Sequence, residues 1–384
     1  MQLESVTVYA LRIPFVESFK IALRSRSESD AVIVRVRDAA GNVGYGEGLP
    51  RPYVTGETVG SMVQFLKTHL APSVLESDLV PGDEVFAFLG SQYPGWSQPV
   101  TTEIAMNAAF CAMELALLDW SLRVTGNSLA RYLPPVRETV VYSGVISADR
   151  PERAGEIAKL FSMNGVRELK VKVGTPADVA RLEAVREGSG ADTVLRADAN
   201  GAWSADEAVE NLKLLERFDL TSIEQPVGSG DLEGLRRVRL ETGIPVMVDE
   251  SLVTLEQAER LVESGACDLF NIRLSKCGGI TGSTAIAALA RQAGIGIQVG
   301  AQVGETAILS AAGRHFAAHV GDLASVEGSY GRFLLKEDVS EEDLTFGQGG
   351  VAPLLEGPGL GVTVKPEVVE RLAVEVVDLT AQRT

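Results

Sequence analysis

The 384-residue sequence predicts a parallel (β/α)8-type barrel joined to a smaller α+β unit. From about residue 138, short apolar strands alternate with helical stretches, eight in about 190 residues, the pattern of βα units with little inserted between strands. Before that, residues 1 to about 50 hold period-2 stretches joined by turn residues, and two helical runs follow them. The length exceeds the usual single core, which fits two structural units.

In the first unit "ESVTVYAL", "AVIVRVRD" and "GNVGYGEG" read as strands of an antiparallel sheet. "TVGSMVQFLKTHLAPSV" and "TEIAMNAAFCAMELALLDWSLRVTG" carry apolar residues at helical spacing, and the second closes on Gly126 as a helix end should. The barrel strands are expected in "VVYSGVI", "ELKVKVG", "TVLRADAN", "TSIEQP", "PVMVDES", "LFNIRLSK", "IGIQVGA" and "LASVEGS". Beyond about 335 the Gly- and Pro-rich "LEGPGLGV" reads as a return to the first unit. The expected division is a cap over 1–130, a barrel over 131–355 and a returning segment over 356–384.

A formal net charge of −17 argues against nonspecific binding to nucleic acid or an anionic membrane. The N-terminus alternates polar and apolar residues like a strand and lacks the basic start and apolar core of a signal peptide. The most apolar long region is interrupted by Arg291 and Gln292, so no membrane span is expected and the cytoplasm is the expected location. Cys111, Cys267 and Cys277 form no C-x-x-C pair and fit reduced core thiols. His315 and His319 have i, i+4 spacing without an H-E-x-x-H pattern and fit a helix face. The glycine clusters "CGGITG" and "GQGG" do not match a phosphate loop.

Polar residues at strand C-termini are the informative ones, because a barrel builds its catalytic face there. Strand period 2 turns Leu195, Ala197 and Ala199 toward the helices and leaves Arg196, Asp198 and Asn200 inside. The same parity turns Glu224 and Asp249 inward, with Glu250 on the other parity unless its strand has already ended. Asp198, Glu224 and Asp249 lie 26 and 25 residues apart, about one βα unit each. Solvated carboxylates at loop starts would explain one of them, but three in register would repel strongly. A hard divalent cation removes that cost, and Mg²⁺ suits a site of a few carboxylates with room for water or substrate oxygens.

One strand earlier, Lys170 and Lys172 share the inward face. Two cations one pleat apart lower each other's proton affinity, so Lys172, nearer the mouth, is expected to be a base with Lys170 as its tuner.

K-x-K, "DAN", "EQP" and "DES" on successive strands resemble the enolase superfamily, specifically its muconate-lactonizing-enzyme subgroup. The likeness covers nearly the whole chain, including "SFKIALRSRSESDAVIVRV" and "GYGEGLPRPYVTGET", which are similar to the cap of the subgroup's dipeptide epimerases. The resemblance implies a modified TIM barrel, (β/α)7β, with an α+β capping domain. It also implies abstraction of a proton α to a carboxylate, with Mg²⁺, or Mn²⁺ as a substitute, holding the enediolate on Asp198, Glu224 and Asp249. The mandelate-racemase branch carries a histidine at the end of the seventh strand, where "GIQVGAQVG" has none.

In "NIRLSKCGG" parity turns Asn271, Arg273 and Ser275 inward and Lys276 outward. Arg273 matches the position of the family's second catalytic lysine. Neutralising a guanidinium at pH 7 costs at least ~7 kcal/mol, so Arg273 is a poor base and a good fixed cation. One-base chemistry follows as the expectation: cycloisomerisation, or a syn elimination of the o-succinylbenzoate-synthase kind, on a small carboxylic acid. A dipeptide or amino-acid epimerase is the alternative, and a metal-retaining binding protein without turnover is the alternative of another class. The resemblance further places Arg24 as an anion contact and Glu327 as a group orienting Arg273. Tyr53 and Ser275 are further candidate substrate contacts. Surface salt bridges are the competing reading for Arg24, Arg26 and Arg51. A homo-oligomer is expected.

Overall fold

Alternating side chains in the first 48 residues build a sheet whose opposed pairs Val6–Val36, Val8–Val34 and Ala10–Val32 are all buried. The computed structural model describes residues 2–21, 24–98 and 104–381, with backbone alone at 18–21 and 24–26. Strands β1 (Leu3–Ile21), β2 (Arg24–Asp38) and β3 (Val43–Gly48) pair antiparallel in that order. Helix α1 (Val59–Phe65) runs through a π-helical stretch, Leu66–Leu70, into α2 (Ala71–Leu75), followed by α3 (Asp83–Gln92) and α4 (Asn107–Thr125). Helix α4 ends at Gly126 with φ 68°, the left-handed position expected of it. Strand β3 lies directly on α4: a Cβ at Gly46 would stand 2.1 Å from the Ala112 carbonyl oxygen, so only glycine permits the approach.

Strand β4 (Thr139–Val141) pairs with β13 (Val351–Pro353) in a separate ribbon. The eight parallel strands are β5 (Gly144–Ile146), β6 (Glu168–Lys172), β7 (Val194–Asp198), β8 (Leu220–Glu224), β9 (Val246–Val248), β10 (Leu269–Ile272), β11 (Gly296–Val299) and β12 (Leu323–Val326). Between them run α5 (Pro151–Met163), α6 (Asp178–Ser189), α7 (Ala205–Leu215), α8 (Leu232–Thr242), α9 (Leu255–Ser264), α10 (Gly279–Ala293) and α11 (Ala307–His319). Seven helices joining eight strands make (β/α)7β. The Ser143 N–H donates to the Val326 carbonyl at 2.9 Å and draws the two outer strands, β5 and β12, together. After α12 (Pro366–Leu372), strand β14 (Ala373–Thr380) returns to pair with β1. Among the described residues no helix is long and apolar enough to cross a membrane.

Buried carboxylates tie the first unit to the barrel. Glu47 accepts from the Thr306 N–H at 2.9 Å and the Leu309 N–H at 3.0 Å, at the start of α11. Glu114 of α4 accepts from the Ile280 and Thr281 N–H groups, 2.5 and 2.9 Å, at the start of α10. Each satisfies N–H groups that a helix start leaves without partners. Arg51 joins them, corrected from its surface reading: it is fully buried, and its Nη2 donates to the Val303 carbonyl at 2.7 Å. Ser275 also differs from expectation. Its hydroxyl accepts from the Leu49 N–H at 2.8 Å, so it fastens the cap and does not line the cavity on which Lys172 and Arg273 open.

Candidate active site

The strand period brings a compact charged cluster to the C-terminal ends of β6 to β10. Asp198 ends β7, Glu224 ends β8 and Asp249 follows β9, and all three are buried. Lys170 Nζ stands 2.7 Å from Glu327 Oε2, 3.1 Å from Glu224 Oε2 and 3.2 Å from Asp198 Oδ2. Lys172 Nζ donates to Asp198 Oδ2 at 2.6 Å and to Asn200 Oδ1 at 2.7 Å. Asn200 Nδ2 in turn donates to Glu250 Oε1 at 3.1 Å. Arg273 points inward: its Nη2 lies 2.5 Å from Asp249 Oδ2 and 3.3 Å from Glu224 Oε1, and its Nη1 donates to Gln302 Oε1 at 3.4 Å.

These pairings set the protonation states. Burial pushes the Glu224 carboxyl up, but Lys170 and Arg273 outweigh it and hold the group well below the usual range. Burial opposes the charge of Lys170, yet Glu224, Glu327 and Asp198 keep it firmly protonated. Lys170 thus stands as a fixed cation one pleat from Lys172, within reach of three carboxylates. Burial disfavours the charged Arg273 too, and Asp249 and Glu224 raise its pKa in spite of that. For Glu250, burial and then Asp249 and Asp198 push the carboxyl up to about 7.

Two more expectations are corrected. Lys276 does not face outward: β10 ends at Ile272, the chain then turns, and strand parity no longer applies. Its Nζ donates to the Asp249 carbonyl at 2.7 Å, to Asp249 Oδ1 at 2.8 Å and to the Asn271 carbonyl at 2.7 Å. Glu327 does not orient Arg273, since its oxygens are held by Lys170 at 2.7 Å and by Arg196 Nη2 at 3.0 Å. For Glu250 the condition set by the sequence is met: β9 has ended at Val248, so strand parity does not turn it away. The Arg24 and Arg26 side chains lie outside the described residues.

A cavity of about 410 Å³ opens on Lys172, Asn200, Glu250 and Arg273, with Tyr53 on its cap side. Lys172 keeps 14% of its side chain accessible, against 3% for Lys170 and 0% for Lys276, so it is the lysine with access to a ligand. A cleft of about 580 Å³ beyond Glu250, beside Thr254 and Arg260, carries none of these lysines.

The carboxylates offer only oxygen donors, as Mg²⁺ requires. Asp249 Oδ2 is buried and accepts no hydrogen bond; the Arg273 contact at 2.5 Å is close but lacks hydrogen-bond geometry. As they stand, no three acidic, histidine or cysteine side chains among the described residues are grouped closely enough to hold an ion. The reason is visible: Lys170 bridges Asp198 and Glu224, and Arg273 bridges Glu224 and Asp249. In donor type, strand placement and unmet demand at Asp249, the residues fit a hard divalent ion.

Sequence reasoning left several groups unassigned. Asn271 Nδ2 donates to Glu224 Oε1 at 2.9 Å, and Gln298 accepts from Arg196 and from the Ser325 hydroxyl. Strand parity points both inward. Glu305, whose carboxyl burial pushes up to about 8, lies in the loop after β11, where no period marks it. His315 shares a hydrogen bond with the Leu360 carbonyl, and the three cysteines are free and buried, so these stand apart from the cluster.

Comparison with known proteins agrees with this geometry. Residues 4–133 match the model of the mandelate racemase / muconate lactonizing enzyme N-terminal domain, and residues 152–368 match that of the enolase C-terminal domain-like family. The chain is 31% identical to the L-Ala-D/L-Glu epimerase of Bacillus subtilis, over 94% of this chain and 97% of that one. It is also 31% identical to the N-succinyl-L-Arg/Lys racemase of Bacillus cereus, over 97% of this chain and 98% of that one. The solved structure of the Bacillus cereus racemase superposes with a TM-score of 0.89, covering 99% of this chain and all of the other. A dipeptide epimerase from Cytophaga hutchinsonii, complexed with Mg and the dipeptide D-Ala-L-Val, superposes with a TM-score of 0.86 at 28% identity, covering 99% of this chain and 100% of that one. The protein belongs to the mandelate racemase / muconate lactonizing enzyme family of the enolase superfamily, a group of isomerases and lyases, and to its muconate-lactonizing subgroup.

Proposed function

We propose that Lys172 acts as the single base in Mg²⁺-dependent abstraction of a proton α to the carboxylate of a small acid, in a cycloisomerisation or a syn elimination. The observation that carries this reading is an asymmetry across the cavity. Lys172 opens onto it, whereas the place of a second base holds Arg273, a guanidinium kept charged by Asp249 and Glu224.

Asp198, Glu224 and Asp249 would hold Mg²⁺, which when bound would supply positive charge to offset the second negative charge developing on the substrate carboxylate. Mn²⁺ is a substitute with the same preference for oxygen ligands. The neutral Lys172 amine takes the α-proton as the C–H electron pair moves toward the carboxylate. In an elimination the resulting ammonium gives the proton to the departing β-hydroxyl as its C–O bond breaks; in a cycloisomerisation the enediolate instead expels a β-carboxylate as the ring C–O bond breaks, and in the ring-closing direction the carboxylate adds first and the Lys172 ammonium then protonates the α-carbon. Asn200 accepts from Lys172 and fixes its direction, while Glu250 holds Asn200. Arg273 offers its fork to a substrate oxygen. Lys170 and Glu327 support the ligand Glu224 from behind.

Solvent exchange tests the reading. In D₂O a one-base enzyme incorporates deuterium on one face of the α-carbon, and incorporation into both stereoisomers would overturn it. No α-exchange with any acid of a broad carboxylate library would overturn α-proton abstraction itself. A dipeptide or amino-acid epimerase is the second reading, favoured by relatives named as an epimerase and a racemase at 31% identity.

We further infer a cap, barrel and return segment divided near 130 and 355, supported by the gap between the matched family regions at 133 and 152. Three free, buried cysteines support a cytoplasmic location. The net charge of −17 supports a partner other than nucleic acid. Val374 and Val376, exposed on the edge strand β14, support a homo-oligomer.

A further inference from the structure

The inward face of β6 carries a third charged group besides its two lysines. Glu168 begins the strand and shares their parity, so it stands at the opposite end of the barrel from Lys172, about 13 Å away at ~3.3 Å per residue. Four side chains of alternating charge connect it to the candidate metal site. Glu168 Oε1 lies 2.5 Å from Arg196 Nε, Arg196 Nη2 lies 3.0 Å from Glu327 Oε1, and Glu327 Oε2 lies 2.7 Å from Lys170 Nζ. Lys170 then reaches Glu224 at 3.1 Å and Asp198 at 3.2 Å. Gln298 makes a second link, accepting from Arg196 and donating through Nε2 to Glu224 Oε2 at 3.5 Å.

Arg196, Glu327 and Lys170 are all buried, where charge is weakly screened and a cation without a counter-charge is costly. Burial disfavours the charge of Arg196, and Glu327 and then Glu168 hold it in place. Glu327 turns one oxygen to each cation, so by itself it would serve two. The carboxylate of Glu168 makes the row of four neutral. Its role emerges when Asp198 and Glu224 give their charge to a divalent ion, because Lys170 then depends on Glu327. Glu327 can balance Lys170 only if Arg196 is balanced from the other side. Without the charge of Glu168, Arg196 and Lys170 would compete for Glu327, and Lys170 would keep its hold on Asp198 and Glu224.

We propose that Glu168 is a positioning residue for the metal site: by neutralising Arg196 it leaves Glu327 to balance Lys170, and so frees Asp198 and Glu224 for Mg²⁺. This rests on the reading of Asp198, Glu224 and Asp249 as the Mg²⁺ ligands of an α-proton abstraction centre. The position is open to substitution. Glu168 keeps 27% of its side chain accessible and lines a cleft of about 650 Å³ at the starts of β6 and β12, away from the catalytic mouth.

The test titrates Mg²⁺ into the full-length protein by calorimetry. Burial raises the Glu168 carboxyl above its usual range and Arg196 opposes the rise, so the titration is run at pH 8. Glu168→Gln keeps an oxygen that can accept from Arg196 Nε and removes only the charge. Glu168→Asp keeps the charge and shortens the reach. Glu168→Gln should raise the Mg²⁺ dissociation constant by about three- to tenfold, with Glu168→Asp within about twofold of the parent. A merely structural role would lower the metal-free Tm of both variants and leave their Mg²⁺ affinity as in the parent. That outcome, or an equal loss of affinity in both variants, would overturn the proposal. Exchange of α-protons in D₂O, followed separately, distinguishes the two readings. Weaker Mg²⁺ binding in Glu168→Gln without exchange in any acid would retain this role and remove the proposed reaction. Exchange in the parent with Mg²⁺ affinity unchanged in Glu168→Gln would do the reverse.

Discussion

Arg273 Nη2 lies 2.5 Å from Asp249 Oδ2 and 3.3 Å from Glu224 Oε1, so a cation of the chain itself stands between two of the carboxylates proposed to hold the metal. Both carboxylates are buried, and taking away a partner strands buried charge. Arg273→Met should therefore lower metal-free stability by about 3–5 kcal/mol. It should also tighten Mg²⁺ binding by about tenfold or more, because a positive charge a few ångströms from the ion is gone. Thermal unfolding with and without Mg²⁺ and direct calorimetric titration measure both effects. A Mg²⁺-induced rise in Tm no larger than in the parent would show that the guanidinium does not compete with the ion.

Arg273→Lys makes a different prediction. The variant keeps a cation but loses the planar fork, so turnover on the native substrate should persist with KM raised by about tenfold. It also places a titratable amine across the cavity from Lys172. Slow deuterium incorporation on the second face of the α-carbon, seen by NMR, is the expected gain. One-face exchange identical to the parent's would mean that the guanidinium is not what confines the reaction to one face.

Much of this centre was legible because strand period 2 is a rigid rule while the strand lasts. Asp198, Glu224, Lys170, Lys172 and Asn271 lie on or beside regular strands, and the structure turns all of them inward. The rule failed where the strand stopped. Lys276 lies four residues past β10, in a turn that carries its ammonium back to Asp249. Partner choice was not legible either. Glu327 had Arg273 as its expected partner, but Lys170 and Arg196 stand nearer in the folded barrel, a fact of three-dimensional neighbourhood that no spacing encodes. Glu47 and Glu114 match no motif, and their role at the starts of α11 and α10 exists only once the cap is docked.

Lys172→Ala should reduce α-proton exchange by about 10²–10⁴-fold or more, as expected for loss of a positioned base. The side chain is partly open to the cavity, so the substitution should leave folding intact, which circular dichroism checks. The Mg²⁺-induced rise in Tm should survive, because Asp198, Glu224 and Asp249 are untouched. Exchange retained near the parent rate would remove Lys172 from the mechanism and direct attention to another group on the cavity wall.

The last prediction concerns pH. Burial raises the carboxyls of Glu47, Glu57 and Glu114 from an ordinary 4.5 to about 7, despite the N–H groups each accepts from. Below pH 4.5 each is protonated in both the folded and the unfolded chain, and its contribution is fully present. Between 4.5 and about 7 the unfolded chain gives up these protons while the fold retains them, so stability falls as pH rises. Each group contributes on the order of 3 kcal/mol across that window. Glu224, held below its usual range, acts in the opposite sense, but its contribution is lost only as pH falls below about 4.5 and leaves the window untouched. His315, which burial lowers from 6.5 to about 4, opposes the fall up to about pH 6.5, but the three glutamates outweigh one histidine, so urea-unfolding midpoints should decline from pH 5 to pH 8. Glu114→Gln keeps a neutral acceptor at the Ile280 and Thr281 N–H groups at every pH, so its decline should be shallower by one group's share. Parallel slopes in parent and variant would mean that Glu114 is ionised throughout and that the start of α10 stabilises its charge against burial.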